Sequence, residues 1–219
     1  RSHDTFSTVL RLLDAKALDA AFGQITARLV AALAKGGVIA IDGKTLRRSY
    51  QKKGGKEPIH MVSAFAARQR LVLGQVKVAE KSNEIVAIPA LLAMLAIEGA
   101  IVTIDAMGCQ RDIAQEILNK KADYVLALKG NQGTLREDVE VFTAEQKANG
   151  FKDTKVSRHE TVDGDHGRIE TRTYTAIHDV DWIQERHDWP GLKGVVMVES
   201  TREIGDKVER ETRFYITSL

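Results

Sequence analysis

The chain has 219 residues, of which 43% are hydrophobic and 28% charged, a composition that suits one sizeable core and excludes general disorder. The formal net charge of +2 neither requires nor excludes a nucleic-acid partner. A single cysteine, Cys109, excludes an internal disulfide framework and a zinc site built from several thiolates, so we expect a reducing, cytoplasmic setting. No apolar run reaches the length of about 18 residues that a membrane-spanning helix needs.

The N-terminal part of the chain is predicted to be helical. Apolar residues recur at helical spacing over residues 5–34, and Asp14 marks a break between two helices. A short apolar strand over 38–41 follows and ends at Asp42, in the sequence Asp-Gly-Lys. Because Asp-Gly is a common turn, this aspartate can also be read as a turn residue.

The middle of the chain alternates strands and helices. Residues 60–66 and 70–78 alternate in polarity and predict a hairpin, and the apolar stretch 85–97 predicts a helix that Gly99 ends. The second buried strand, 100–104, again ends at an aspartate. Further along, an amphipathic helix, a third apolar strand and a charged helix are predicted at 109–121, 124–128 and 134–148.

Beyond residue 151 the sequence changes to strands of alternating charge, at 155–162, 168–177, 194–199 and 209–216. The run Asp163-Gly164-Asp165 predicts a hairpin turn. We therefore predict an α/β fold with a mixed sheet flanked by helices. The expected division is an N-terminal helical segment at 1–35, a core at 36–150, and a β-rich C-terminal insertion or subdomain at 151–219.

Two carboxylates carry the chemistry that the pattern predicts. Asp42 and Asp105 each follow a buried strand, and ligands of open α/β sheets bind at the carboxyl ends of strands. Two neighbouring carboxylates form a hard oxygen site that suits Mg²⁺ or Mn²⁺. A pair of such metals can activate a water or a 3′-hydroxyl in phosphodiester chemistry. An aspartate after a strand is also often a turn former or helix cap, so the pattern by itself leaves both interpretations open.

Five motifs in order resemble insertion-sequence DDE transposases, in the branch that includes bacterial H-repeat-associated proteins. They are AIDGKTLR at 40–47, KSNEI at 81–85, TIDAMGCQ at 103–110, LALKGNQ at 126–132 and HGRIE at 166–170. SHDTF at 2–6 resembles the end of that family's N-terminal associated region, so the resemblance covers essentially the whole chain.

The resemblance implies a ribonuclease-H-like fold, with Asp42 and Asp105 as ligands of a two-metal Mg²⁺ or Mn²⁺ site. It implies double-stranded DNA as substrate, at element ends and at a target, and no membrane partner. The implied reactions are strand cleavage by water and then attack of the new 3′-hydroxyl on target DNA. It also implies a multimer, expected to be a homo-oligomer, acting at paired ends.

The third acidic residue of that family is the one departure. It lies on a later helix in a pattern like Arg-x-His-Trp-x-Ile-Glu-Asn, which the sequence up to Leu219 does not contain. We therefore expect a fragment, shortened at both ends, whose third carboxylate lies beyond it. Glu170 is the nearest substitute by motif, and its alternative is a charge on an exposed strand face.

Several side chains near the predicted strand ends, or within the family-like motifs, are candidates for DNA contact. They are Lys44, Arg47, Arg48, Lys129, Asn131, Gln132, His166 and Arg168. Solvated loops and a salt bridge at a hairpin end are the alternatives for these residues. At the level of the whole chain, the alternative to a transposase core is a remnant that binds DNA without cutting it. An unrelated metal-dependent nuclease of the same fold class is a third, less favoured function.

Overall fold

The computed structural model of the chain describes residues 3–32, 37–46, 49, 58–78, 84–152, 154–165 and 167–219. The helices are α1 (His3–Leu12), α2 (Ala15–Ala32), α3 (Glu84–Ala93), α4 (Arg111–Asn119), α5 (Gly133–Ala148) and α6 (Asp181–His187). The strands are β1 (Val38–Thr45), β2 (His60–Ala66), β3 (Leu71–Val78), β4 (Ile101–Ile104), β5 (Asp123–Leu128), β6 (Val156–Asp165), β7 (Arg168–Ile177), β8 (Gly194–Ile204) and β9 (Lys207–Thr217). Short 3₁₀ turns occupy Ala106–Gly108 and Gly130–Gln132.

All nine of these strands belong to one mixed sheet, in the order β3-β2-β1-β4-β5-β9-β8-β7-β6. The neighbours β1, β4 and β5 run parallel, and β2 and β3 form the antiparallel hairpin that the alternating stretches predict. This arrangement confirms the predicted α/β fold with a mixed sheet flanked by helices. No helix in the part of the chain that the structure describes combines the length and apolar character needed to cross a membrane.

The two faces of the central strands differ in how deeply they are covered. Ile41, Ile104 and Leu126 are buried on the face where α3 packs against β2 and β3, and α4 against β5. Each such side chain contributes about 1.5–3 kcal/mol when fully buried. The alternate residues, which include Thr103 and Ala127, are half-buried on the other face. The apolar runs of the sequence therefore form strands, and the polar residues that follow each run lie near an accessible surface.

The C-terminal strands continue the same sheet. β9 pairs antiparallel with β5, with Val125 opposite Thr217, and β8, β7 and β6 follow outward. Trp189 and Ile183, from the same part of the chain, are fully buried in the common hydrophobic core. The division of the chain into three parts stays a prediction.

The structure corrects several boundaries predicted from the sequence. β1 does not stop at Asp42, because β2 continues to pair with it as far as Thr45. α3 ends at Ala93, earlier than predicted, since the next apolar residues enter the core outside a helix. The predicted turn Asp163-Gly164-Asp165 is wrong: these residues pair with β7, and the left-handed backbone of Gly167 (φ +73°) makes the turn. Nothing in the strand-like pattern predicted α6.

Candidate metal and DNA site

Asp42 and Asp105 lie side by side on neighbouring parallel strands. Ile41 and Ile104 are register partners, and each aspartate directly follows one of them. Because side chains alternate along a strand, Asp42 points to the face opposite the buried Ile41. Both carboxylates are exposed and line one cleft of about 510 Å³. The geometry therefore brings together the two aspartates that the motifs single out.

Hydrogen bonds hold the loop that carries Asp105. Its Oδ1 accepts from the backbone N–H of Met107 at 3.1 Å and caps the short 3₁₀ turn that follows. The side-chain amide of Asn131 donates to the carbonyl of Ala106 at 2.7 Å, and that of Gln132 donates to the carbonyl of Cys109 at 2.9 Å. The loops after β4 and β5 are thus joined, and the amide nitrogens of Asn131 and Gln132 are engaged within the protein. DNA contact by either residue stays a prediction.

Three basic side chains stand in the cleft with the aspartates. They are Lys129 after β5, Arg136 on α5 and Arg213 on β9. Arg136 pairs with Glu140 at 2.6 Å, one helical turn away. Such a half-exposed pair contributes only about 0.3–0.5 kcal/mol, so its guanidinium is readily available to another anion.

Glu211 also lines this cleft, beside Arg213. The hydrogen bond from Arg213 lowers the pKa of the Glu211 carboxyl, and the positive charges of Lys129 and Arg202 act in the same direction. Arg136, Glu211 and Arg213 were not predicted from the sequence. For the two β9 residues, the available signal was their spacing of two, which puts both on one face of a strand. That β9 lies beside β5 could not be read from this spacing.

Of the other predicted DNA contacts, the structure describes Lys44 and Arg168. Lys44 is exposed on the same face of β1 as Asp42. Arg168 is exposed on β7, 3.8 Å from Glu170. Arg47, Arg48 and His166 fall outside the residues that the structure describes.

Glu170 is not among the residues that line the cleft of the two aspartates. It is 8% exposed on β7, and its Oε1 accepts from Arg172 at 2.7 Å. Over the described ranges, no three His, Cys, Asp or Glu side chains are grouped closely enough to hold a metal ion. The structure therefore does not bring Glu170 together with Asp42 and Asp105.

The donor set of the cleft fits a hard divalent cation. Mg²⁺ is commonly held by one or two protein carboxylates, with water and substrate phosphates as its remaining ligands. Asp42 and Asp105 supply two such groups, and neither forms an ion pair with any basic side chain that the structure describes. Both carboxylates are accordingly available as ligands.

Comparison with known proteins gives the family. The family model described as "Transposase DDE domain" matches residues 33–204. An uncharacterized protein from the dhlA 3′ region of Xanthobacter autotrophicus is 43% identical over 225 residues, which cover 99% of this chain and 72% of that protein. The "H repeat-associated putative transposase YhhI" of Escherichia coli K12 is 43% identical over 187 residues, which cover 83% of this chain and 48% of that protein.

Among solved structures, a piggyBac transposase synaptic complex with hairpin DNA is similar at a TM-score of 0.43 and 12% identity. The match covers all of this chain and 44% of that one. The chain spans about half the length of YhhI and nearly three quarters of the Xanthobacter protein. Since the family model covers most of the chain and its relatives are 43% identical to it, the chain belongs to the DDE transposase family, in the branch of the H repeat-associated proteins.

Proposed function

We propose that this chain is the catalytic core of a transposase that cleaves DNA strands and joins them to a target, with divalent metal ions held by Asp42 and Asp105. The observation that carries the proposal is that the two aspartates directly follow the register partners Ile41 and Ile104 of neighbouring parallel strands and line one cleft. Membership of the DDE family supports it, because that family generally uses divalent metal ions.

In the proposed reaction a water oxygen attacks phosphorus as the bond to the 3′-oxygen breaks, which leaves a 5′-phosphate and a 3′-hydroxyl. That hydroxyl then attacks a phosphorus of target DNA, and the bond from this phosphorus to the target's own 3′-oxygen breaks. Bound Mg²⁺ or Mn²⁺ supplies activation of the attacking oxygen and stabilisation of the leaving one. Asp42 is held by a strand and Asp105 by its capped loop, so both enter the reaction in fixed positions. Such fixed placement removes much of the entropic cost of aligning the reacting groups.

The basic residues of the cleft are proposed to hold the DNA backbone. Lys129, Arg136 and Arg213 line the same cleft as the aspartates and can neutralise phosphates of the bound strand. Phosphate contacts position DNA without reading its sequence, so these residues give placement rather than end recognition. Assembly into multimers on paired ends, and a cytoplasmic location, stay predictions.

Mn²⁺ binding and metal-dependent nicking test this proposal. Asp42→Asn and Asp105→Asn are each expected to weaken Mn²⁺ binding by tenfold or more and to abolish nicking of element-end DNA. Asp206→Asn, which changes an exposed aspartate in the turn between β8 and β9, serves as the control and should behave as wild type. Unchanged nicking by Asp42→Asn would sink the proposal.

A second function, DNA binding without cleavage, is favoured by one observation. Within the described part of the chain, no third His, Cys, Asp or Glu side chain is close enough to the two aspartates to form a metal-binding group with them. This function predicts DNA affinity that falls steeply with salt, together with no nicking at any Mg²⁺ or Mn²⁺ concentration. Affinity that does not change between low and moderate salt contradicts it.

A further inference from the structure

A chain of polar side chains, two of them buried, lies on the face of β1 opposite the cleft. Glu84, the first residue of α3, is 6% exposed, and its carboxylate contacts Nε2 of His60, which is 3% exposed. The other ring nitrogen of His60, Nδ1, lies 2.8 Å from the hydroxyl of Thr45. Three groups from three elements, α3, β2 and β1, are therefore linked beneath the end of the strand that carries Asp42.

Gly43 lets the strand approach this chain closely. A Cβ atom at Gly43 would lie only 2.6 Å from Oε2 of Glu84, so the backbone of β1 packs directly on the carboxylate. Gly43 and Thr45 face Glu84 and His60, whereas Asp42 between Ile41 and Gly43 faces the cleft. The backbone is therefore held from behind at the residues that follow Asp42.

The end of β1 is the place where such support is needed. Pairing between β1 and β4 stops at Ile41 and Ile104, so Asp42 and the residues up to Thr45 pair with β2 alone. A strand segment with one neighbour is held less firmly than one with two. On the covered face, the contacts with Glu84 and His60 take the place of the missing neighbouring strand.

Stability alone does not account for burying these groups. A buried carboxylate and imidazole lose their hydration, and apolar side chains of similar volume often support a fold equally well. A chain of three matched polar groups instead fixes distance and direction between the elements that carry them.

We infer that Glu84, His60 and Thr45 are positioning residues that hold the end of β1 so that the Asp42 carboxylate stays directed at Asp105. The inference rests on the proposed function, because it assigns the three groups to the same metal site. Residues that orient metal ligands from behind typically change metal affinity by about 10–100-fold when replaced. We expect the lower end of this range here, since the support acts through the backbone.

Mn²⁺ affinity and backbone amide exchange of the whole chain test this inference together. Glu84→Gln keeps the shape and removes the charge, and it should weaken Mn²⁺ binding about tenfold. Thr45→Val, which removes only an exposed hydroxyl, should weaken binding in the same direction, and Thr45→Ser should restore it. In both weakened variants, exchange should rise at residues 42–45 and stay unchanged in β4 and β5.

Two control variants separate the positioning role of the three residues from the proposed metal site itself. His187→Gln disturbs another histidine–carboxylate pair, 2.7 Å from Asp138 and outside the cleft, and should leave Mn²⁺ binding as in wild type. Asp42→Asn tests the metal site itself. If Asp42→Asn loses Mn²⁺ while Glu84→Gln and Thr45→Val bind normally, the positioning role is wrong and the proposed function stands.

Two further outcomes decide the remaining cases. If wild type and Asp42→Asn bind Mn²⁺ equally, or if neither binds it, the proposed function fails. Amide exchange at residues 42–45 in Glu84→Gln then decides by itself whether Glu84 holds the end of β1. Exchange that rises equally through the whole sheet overturns a local positioning role, as does exchange at 42–45 that does not change.

Discussion

Ile41 and Ile104 are register partners on two parallel strands, and an aspartate follows each of them. The spacing of the two carboxylates therefore depends on the backbone pairing that ends directly before them and on the hydrogen-bonded loop that carries Asp105. Both isoleucines are nearly fully buried, at 3% and 5% exposure, so the hydrophobic core holds this register. A shift by one residue would turn one carboxylate to the opposite face.

The first prediction separates the two roles of Asp105. Asp105→Asn keeps an oxygen that can accept from Met107, so its free energy of unfolding should stay within about 0.5 kcal/mol of wild type. Asp105→Ala also loses the cap and should cost about 0.5–2 kcal/mol. Urea unfolding measures both. Equal stability of the Asn and Ala variants would show that the cap contributes nothing.

The second prediction concerns Asn131, which donates to the Ala106 carbonyl at 2.7 Å. Asn131→Ala should lower the free energy of unfolding by about 0.5–1.5 kcal/mol. Asn131→Asp should cost more, because it places a carboxylate against that carbonyl. Gln115→Ala removes an exposed side-chain hydrogen bond within α4 and is the matched control, with little expected effect. If Asn131→Asp is the more stable of the two variants at this position, the assigned bond is incorrect.

The third prediction uses two lysines at opposite ends of β5. Lys129 follows the strand and lines the cleft, whereas Lys121 precedes it and is exposed beside Glu98. Lys129→Ala should weaken DNA binding without regard to sequence and lower the salt dependence of log K by about one unit of slope. Lys121→Ala should leave the slope at its wild-type value. Fluorescence anisotropy at several salt concentrations distinguishes the two, and equal slopes would remove Lys129 from the DNA site.

The fourth prediction compares two glycines. Gly43→Ala forces a methyl group against the Glu84 carboxylate and should cost about 1–3 kcal/mol in unfolding free energy. At Gly130 nothing lies within 4 Å of an added Cβ, so Gly130→Ala should be nearly neutral. Thermal unfolding of the two variants gives the comparison. Similar transition temperatures would mean that the strand does not pack on Glu84.

The fifth prediction follows from the buried thiol of Cys109. Burial raises the pKa of this thiol from 9.0 to about 12. The folded state therefore disfavours the thiolate, so this contribution to stability is complete below pH 9 and is lost as the pH rises toward about 12. In that window the free energy of unfolding should fall by up to about 1.4 kcal/mol per pH unit.

Cys109→Ala isolates this effect, because Tyr124, whose pKa burial also raises, remains in both proteins. The variant should lose stability less steeply above pH 9 than wild type. Parallel pH profiles of the two proteins would contradict the assignment. In the same way, iodoacetamide at neutral pH should label Cys109 only when the protein unfolds.

Much of the core could be predicted because its strands are short apolar runs. The apolar runs before Asp42 and Asp105 supply buried side chains on the face that the helices cover. Such a run can be recognised in the sequence without knowing which strands pair with each other. The ordered motifs then gave the family. The pairing of β1 beyond Asp42 was not predictable, since Asp-Gly-Lys has the composition of a turn and only β2 keeps it extended.

The rest of the site depends on contacts between residues distant in sequence. Arg213 lies in the cleft because β9 pairs with β5. The spacing of two between charged residues of β9 predicts a strand but does not indicate which strand pairs with it. The buried link from Glu84 to His60 was equally hidden. The two side chains lie 24 positions apart in the sequence, and no local pattern pairs them.

The pairing of β9 with β5 also has a consequence for how the chain folds during synthesis. The hydroxyl of Thr217 donates to the Tyr124 carbonyl, a contact between residues 93 positions apart. The strands that bear both aspartates leave the ribosome long before this partner does, and strand pairing at such separation is slow. We expect nascent chains to contain both aspartates while β9, which forms one wall of the cleft, has not yet been synthesised. The cleft around the two carboxylates is therefore completed only after residues 207–217 have emerged.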